Sequence, residues 1–423
     1  MPATTRRERP ISTLLPYTNA LFRRYGETYT SYILGQRFVF TYNAENTKHI
    51  LFRGLPGFDS SPLRKHMFEC VTPHGIFTLD GEAWKVSRDQ LRSRLSNPQK
   101  IVNLAVCEQL FQSFCKLVPP DGQAFNIQEA VFALSLDVQT SLFLGESVDA
   151  LSPMQSQGKK QFVHDILLVK NRIVQDGFRG PLRHLFNKRA FLQGCKRMQA
   201  FVETCAAKAA GESMEERRLF TDQVLSILLA NDSMGTTLSG LFFCLSQDER
   251  VVQKLRQNVF EALGIEPPTW NQLGTLHYVR WSINEALRLY PPAVVNARLA
   301  NKHTTLPTGG GQDRTSPVFV RKGDIIVFST WARHRLGTEF GDNPEQFYPE
   351  RWEGLNTDMP GFIPFNKGPR ICPGQHHAMA VLTYMVARMF QTYSRVLNYN
   401  TEPWKERISM TLENGNGVFV GLS

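Results

Sequence analysis

Apolar residues recur three and four positions apart from about Gly81 to Leu289, the spacing of helices that each turn one face inward. Prolines are few there outside LVPPDG and FRGPLR, so residues 81–290 are expected to form a helical body. Ahead of it, TYTSYILG and RFVFTYN alternate as short strands do, which puts a small sheet within residues 28–80. Pro- and Gly-rich chain with short apolar runs extends from PPAVV to FIPFN, giving a second β-rich stretch over residues 291–360. A final helix is expected over residues 373–395, and a terminal hairpin around LENGNGVFV. The chain holds no internal repeat and no low-complexity tract. The fold class is therefore mainly α with a smaller β-rich portion, an α+β protein.

One helix differs from its neighbours. FTDQVLSILLANDSMGTTLSGLFFCLSQ is apolar nearly all round, which predicts a fully buried helix of at least about 20 residues and about 30 Å. Its centre breaks that character, because Asn231, Asp232, Ser233 and Gly235 put polar groups and a flexible residue where each costs stability unless it has a task. Such a cluster either bends the helix or carries chemistry.

Composition narrows the class. The 423 residues are 42% hydrophobic and 11% aromatic, enough for a large core. The net charge of +10, from 48 Lys and Arg against 38 Asp and Glu, favours acidic partners or anionic membrane surfaces without identifying one. No nucleic acid is expected. Seven cysteines without a C-x-x-C pair argue against a disulfide framework or a zinc knuckle and fit a reducing compartment. The first residues supply neither an apolar run of about 18 residues nor the apolar core of a signal peptide.

The stretch FIPFNKGPRICPGQHH raises the chemistry. Pro373 suits the first position of a helix, where its missing N–H would be unpaired in any case. Cys372 is then expected at a helix N-terminus, where free N–H groups and the helix dipole favour a thiolate and lower its pKa. Gly374 allows a close approach to the sulfur and Gly368 a tight turn before it. A charged sulfur that follows Phe362, Ile363 and Phe365 is costly to bury unpaired, so it calls for a cation. A neighbouring base would make it a nucleophile, and His376 and His377 stand within a turn. Zinc needs three or four ligands, and only Cys372, His376 and His377 cluster. A haem iron takes one axial thiolate and needs cationic residues for its two propionates.

Phe365, Gly368, Arg370, Cys372 and Gly374 fill F-x-x-G-x-R-x-C-x-G, and on that signature the chain resembles the cytochrome P-450 haem-thiolate monooxygenases. The likeness runs from about Gly75 to the C-terminus. Glu285 and Arg288 in EALR resemble the family's E-x-x-R pair, and Arg351 in PERW the third member of that salt-bridge triad. On a helix surface such a pair contributes only about 0.2–0.5 kcal/mol. The apolar setting YVRWSINEALRLYPP instead predicts a buried, structural pair that holds the segment with Arg351 against the helical body. NEALRLYPPAVVNARLA, LPTGGG and VRKGD are similar to the fungal branch related to alkane and fatty-acid hydroxylases.

The resemblance implies one P-450 domain over residues 1–423, with haem b between the long buried helix and the loop of Cys372, the iron ligand. Trp84 and Arg88, four apart on one helix face, then offer an indole N–H and a guanidinium to one propionate. Arg298 in NARLA and Arg370 resemble the family's other propionate contacts. The family pattern A/G-G-x-D/E-T-T falls on the long helix, where the register of LSGLFFCLS puts Asp232 on the acid and Ser233 on the alcohol position. Met234 stands for the second threonine and Ala230 for a glycine. The alternative register makes Thr236 the alcohol and leaves Met234 at the acid position. Asp232 and Ser233 are read as the groups that deliver the protons needed to split O2.

The implied activity is O2-dependent monooxygenation of an apolar small molecule, a lipid chain or a fungal secondary metabolite. A separate NADPH-cytochrome P-450 reductase is expected to supply electrons, because the chain has no G-x-G-x-x-G fingerprint. RKHMFECVTPHGIF and Pro292 to Val295 are candidate pocket walls. The altered Ser233-Met234 pair keeps a haem-thiolate isomerase or peroxide-using enzyme as an alternative, and an inactive haem-binding protein is another. Fungal members normally begin with a membrane anchor and carry a longer segment before RRLFTDQVLS. Resemblance implies the cytosolic face of the endoplasmic reticulum membrane; a chain without an anchor would be cytoplasmic. The basic stretch VKNRIVQDGFRGPLRHLFNKRAFLQGCKRMQ reads as a peripheral membrane or reductase contact, or equally as ordinary solvent-facing helix.

Overall fold

The structure, a computed structural model, describes residues 14–60, 62–95, 97–207 and 214–423. Helix α1 (Leu14–Tyr25) precedes β1 (Thr28–Ile33) and β2 (Gln36–Thr41), and α2 (Ala44–Leu51), β3 (Phe58–Ser60) and α3 (Pro62–Phe68) follow. The helical body comprises α4 (Gly81–Leu95), α5 (Pro98–Ile101), α6 (Leu104–Cys115), then β4 (Phe125–Asn126), α7 (Ile127–Leu144), α8 (Gln157–Arg179) and α9 (Arg189–Ala207). It continues through α10 (Met214–Leu229), α11 (Asp232–Leu245), α12 (Glu249–Leu263), α13 (Trp270–Leu273) and α14 (His277–Leu289). Strands β5 (Val295–Ala300), β6 (Thr304–Gly310), β7 (Ser316–Val320) and β8 (Ile325–Ser329) lead to α15 (Thr330–Leu336) and α16 (Gln375–Thr392). The chain closes with β9 (Val396–Asn398), β10 (Glu406–Ile408), β11 (Leu412–Asn414) and β12 (Phe419–Leu422).

The main sheet runs β1-β2-β8-β5-β3, with β2 and β8 parallel and the other neighbours antiparallel. Its register sets Ser60 opposite Arg298 and Arg298 opposite Ile326, which carries one arginine into the middle of the sheet. The largest apolar core gathers α6, α7, α11, α12, α14 and α16, where Phe242 and Phe390 stack with ring centres 6.3 Å apart. Helix α14 buries Val279, Ile283, Glu285 and Arg288 and stops at Tyr290, since Pro291 and Pro292 cannot continue it.

Four expectations are corrected. The single long helix is two, α10 and α11, separated at Ala230 and Asn231. There the backbone bonds tighten to three-residue steps, Ala230 N–H to Ile227 C=O (3.0 Å) and Met234 N–H to Asn231 C=O (3.3 Å). The cause is lateral: Ser135 Oγ of α7 donates to the Asn231 carbonyl and draws it from the ladder. The terminal hairpin does not form, because β11 pairs with β10 while β12 pairs with β4 and β9. Helix α16 starts at Gln375 with Gly374 as its N-cap, so Cys372 lies two residues ahead of the cap. The β-rich ranges also hold α2, α3 and α15, and the strands of residues 291–360 end at Ser329.

Candidate active site

The loop before α16 holds Cys372 by a bond from its N–H to the Phe365 carbonyl (2.8 Å). Phe365 itself is half-buried against the main core. Gly368 turns the loop at φ 70°, and a Cβ there would lie 2.1 Å from the Leu51 carbonyl oxygen, so no side chain fits. Gly374 needs its small size less, as its Cβ would stand 3.9 Å from Cys372 Sγ. Cys372 is exposed although protein surrounds it, the condition of a side chain that lines a recess. Burial pushes its thiol up, and the Gly374 N–H and the Arg88 guanidinium offset this only in part. The N–H ahead of α16 thus acts in the expected direction, but burial outweighs it.

Around the recess the structure gathers guanidinium groups. Arg370 stacks 4.2 Å over the Trp84 ring and donates to Asp80 Oδ1 (2.5 Å) and Ser60 Oγ (3.1 Å). Asp80 Oδ1 also accepts the Ser60 N–H at 2.9 Å. Arg298 is fully buried; its Nη1 donates to the carbonyl of neighbouring Ala297 (2.9 Å), while Nε and Nη2 have no partner among the described residues. Burial, with Arg64 and Arg370 nearby, lowers Arg298 to about 9. Arg64 of α3 falls to about 10 from burial and the field of Arg370, with Asp80 opposing. Burial also lowers Arg88, while the charge of Cys372 acts the other way. The sequence reading has Arg64 only at the start of a candidate pocket wall and misses Asp80. Arg64 lies on the short helix α3 and Asp80 directly ahead of α4, and it is the tertiary packing, not local spacing, that brings both near Arg298.

Along α10 and α11, every residue from Thr221 to Leu245 is buried except Ile227, Ala230 and Ser233. Their three-residue spacing puts them on one face, the part-exposed one of an otherwise buried run. Thr236 turns elsewhere: it shares a hydrogen bond with Thr411 Oγ1 (2.8 Å) and donates to the Leu412 carbonyl (2.8 Å). Asp232 is held by Lys170 Nζ of α8 at 2.7 Å in a buried pair, and Lys170 also donates to Asn231 Oδ1. Lys170 was read as part of a basic surface. Its signal was its place on the apolar face of Phe162, Ile166 and Ile173.

Two further groups frame the site. Asp222 of α10 accepts the His74 N–H (2.6 Å) and, through burial, rises to about 6. That contact anchors segment 72–78, most of which belongs to the predicted pocket wall of residues 64–77, and its Gly75 approaches Ser226. Buried Glu285 accepts from buried Arg288 (2.8 and 2.9 Å) and Trp352 Nε1 (3.0 Å), and from part-buried Arg351 Nε (3.2 Å) and the Tyr348 N–H (3.1 Å). His377 packs edge-on to Phe143 (5.4 Å), its Nε2 unpartnered, and burial lowers it to about 4, so it gives Cys372 no ready base. An open cleft of about 510 Å³ beside Tyr29, Arg37, Gly310 and Phe319 shares no lining residue with this site. Among the described residues no helix is long and apolar enough to cross a membrane.

Known proteins resemble the chain over nearly its whole length. The family profile described as cytochrome P-450 matches residues 12–234 and 198–417. Cytochrome P-450 52A13 of Debaryomyces hansenii is 31% identical over 435 residues, covering 94% of this chain and 83% of its own. Cytochrome P-450 52A3-A of Candida maltosa is 31% identical and covers 96% of this chain and 86% of its own. The cytochrome P-450 monooxygenase fsdH of Fusarium heterosporum is 30% identical, covering 96% and 78%.

Proposed function

The chain belongs to the cytochrome P-450 family and is an oxidoreductase of its monooxygenase kind, and on that premise we propose that it inserts one oxygen atom of O2 into an apolar organic substrate. A lipid chain or a fungal secondary metabolite suits the apolar face of Ile227 and Ala230. The electron donor is an NADPH-cytochrome P-450 reductase. The haem-thiolate cofactor of the family is haem b here, with Cys372 as its iron ligand. Arg298 carries this reading: a fully buried guanidinium with two nitrogens unpartnered among the described residues stands beside Arg64 and Arg370, with Asp80 as the carboxylate that acts on it. Such a surplus of buried positive charge is costly until anions arrive, and two propionates match it.

When bound, the haem would be held through Cys372 and would supply the activation of O2. The residues of the chain do the rest. Arg88 holds positive charge near the sulfur and so favours its thiolate form. Arg64, Arg298 and Arg370, with the Trp84 ring under Arg370, receive the carboxylates. Ser233 presents its hydroxyl on the part-exposed face, and Asp232 keeps its carboxylate beside it, held by Lys170 Nζ. Proton delivery through Ser233 then depends on Lys170 loosening its hold. The same pair favours a second reading, peroxide-driven turnover without reductase, because a carboxylate committed to Lys170 is a poor relay.

Exposed Phe178, Leu182, Leu185 and Phe186 lie among Arg179, Arg183 and Lys188, a combination that fits a membrane surface and the cytosolic face of the endoplasmic reticulum. Holoprotein tests the central claim. The reduced carbon-monoxide adduct is expected to show the red-shifted Soret band of sulfur coordination, and Cys372→Ser to lose it. A colourless wild type, or one with an unshifted band, refutes the reading. Turnover that needs reductase and O2 separates the first mechanism from the peroxide one.

A further inference from the structure

We propose that His334 is a positioning residue for the Cys372 thiolate, a neutral imidazole that ties the end of α14 to the loop that delivers the sulfur. The proposal rests on Cys372 being the iron ligand. His334 is fully buried in α15, whose start is capped by Ser329 Oγ accepting the Ala332 N–H (3.0 Å). Its Nδ1 lies 3.1 Å from the Arg288 carbonyl, and its Nε2 accepts the Ile363 N–H at 3.0 Å. A carbonyl only accepts and a backbone N–H only donates, so Nδ1 must carry the proton and Nε2 must be bare. Protonation of Nε2 would set two N–H groups against each other.

The surroundings keep the ring in that form. Burial, with Arg288, Arg335 and Arg333 close by, holds its pKa well below the usual histidine value. Phe362 stacks on the ring at 5.3 Å and Phe340 meets it edge-on at 5.8 Å. The link to α14 is double, because Arg288 Nη1 also donates to the His334 carbonyl (3.0 Å). The link to the loop is single. Two residues past Ile363, the Phe365 carbonyl receives the Cys372 N–H (2.8 Å). Hydrogen bonds thus run from the buried Glu285–Arg288 pair through one imidazole to the backbone that fixes the sulfur. Without the acceptor at Nε2, a buried N–H in the short segment 363–372 is orphaned, and that segment is free to shift.

Three variants separate the two ends of the bridge. His334→Asn keeps a donor near the Arg288 carbonyl but cannot reach Ile363; His334→Gln reaches Ile363 with Oε1; His334→Phe keeps only the stacking. In holoprotein held at one mildly elevated temperature, the half-life of the red-shifted carbon-monoxide adduct should fall about tenfold in His334→Asn and His334→Phe, the effect of one lost buried hydrogen bond. It should recover in His334→Gln even if all three variants melt at similarly lowered temperatures. A half-life in His334→Asn equal to that of wild type, or no recovery in His334→Gln, overturns the proposal. Nitrogen-15 NMR of histidine in the diamagnetic reduced carbon-monoxide form of wild type needs no variant to fold. A neutral Nδ1–H tautomer supports the bridge, and an imidazolium or an Nε2–H tautomer overturns it. A wild type without the red-shifted band refutes the assignment of Cys372 instead, whatever the tautomer.

Discussion

Ser233 and Thr236 sit three positions apart and do different things. Thr236 gives its hydroxyl to the Leu412 carbonyl and shares a bond with Thr411, whereas Ser233 lies on the one face of α10 and α11 that is not buried. Replacing each should therefore give opposite results. Ser233→Ala is expected to keep drawing electrons while the fraction recovered in product falls about tenfold or more, within the range of lost general acid–base help. Thr236→Val should leave that fraction unchanged and cost about 1 kcal/mol of stability in urea titrations. Product and NADPH measured together decide it; unchanged coupling in an active Ser233→Ala enzyme removes Ser233 from the relay.

At the scale of elements, the site is built where separate segments are pinned to one another. Lys170 pins α8 to the junction of α10 and α11, Glu285 pins α14 to the turn bearing Arg351, and Asp222 pins segment 72–78 to α10. The last has a pH signature. Burial raises Asp222 to about 6, so folding favours its protonated form, whereas the unfolded chain releases that proton near the ordinary value of about 4. Stability is then lost as pH rises from about 4 to 6 and stays level above. Asp222→Asn keeps an acceptor for the His74 N–H without the charge. Its melting temperature should exceed that of wild type by about 2–4 °C at pH 7.5, with the gap closing as pH drops to 4. A gap independent of pH in scanning calorimetry would contradict this account.

Over the whole molecule, a net charge of +10 and the exposed apolar side chains of residues 178–186 predict binding to anionic vesicles. Phosphatidylserine vesicles should retain the protein at low salt and lose it about tenfold in 0.5 M NaCl, and Leu182→Ser with Leu185→Ser should weaken retention at both. Equal sedimentation with neutral vesicles would argue against the charge. Much of this protein is written in local sequence: the strand alternation of β1 and β2, the apolar run of α10 and α11, and the Phe365–Gly374 loop are set by neighbours within a few residues. The partners are not. The basic stretch around Lys170 hid its place on an apolar face, nothing in it pointed to Asp232, and spacing could not bring Arg64, Asp80, Arg298 and Arg370 to one recess. Nor could it foresee that Ser135 would break the long helix or that β12 would leave β11 for β4 and β9. Periodicity records which side chains avoid water, a property of one segment, whereas a hydrogen bond or ion pair between distant segments exists only once packing has set their register.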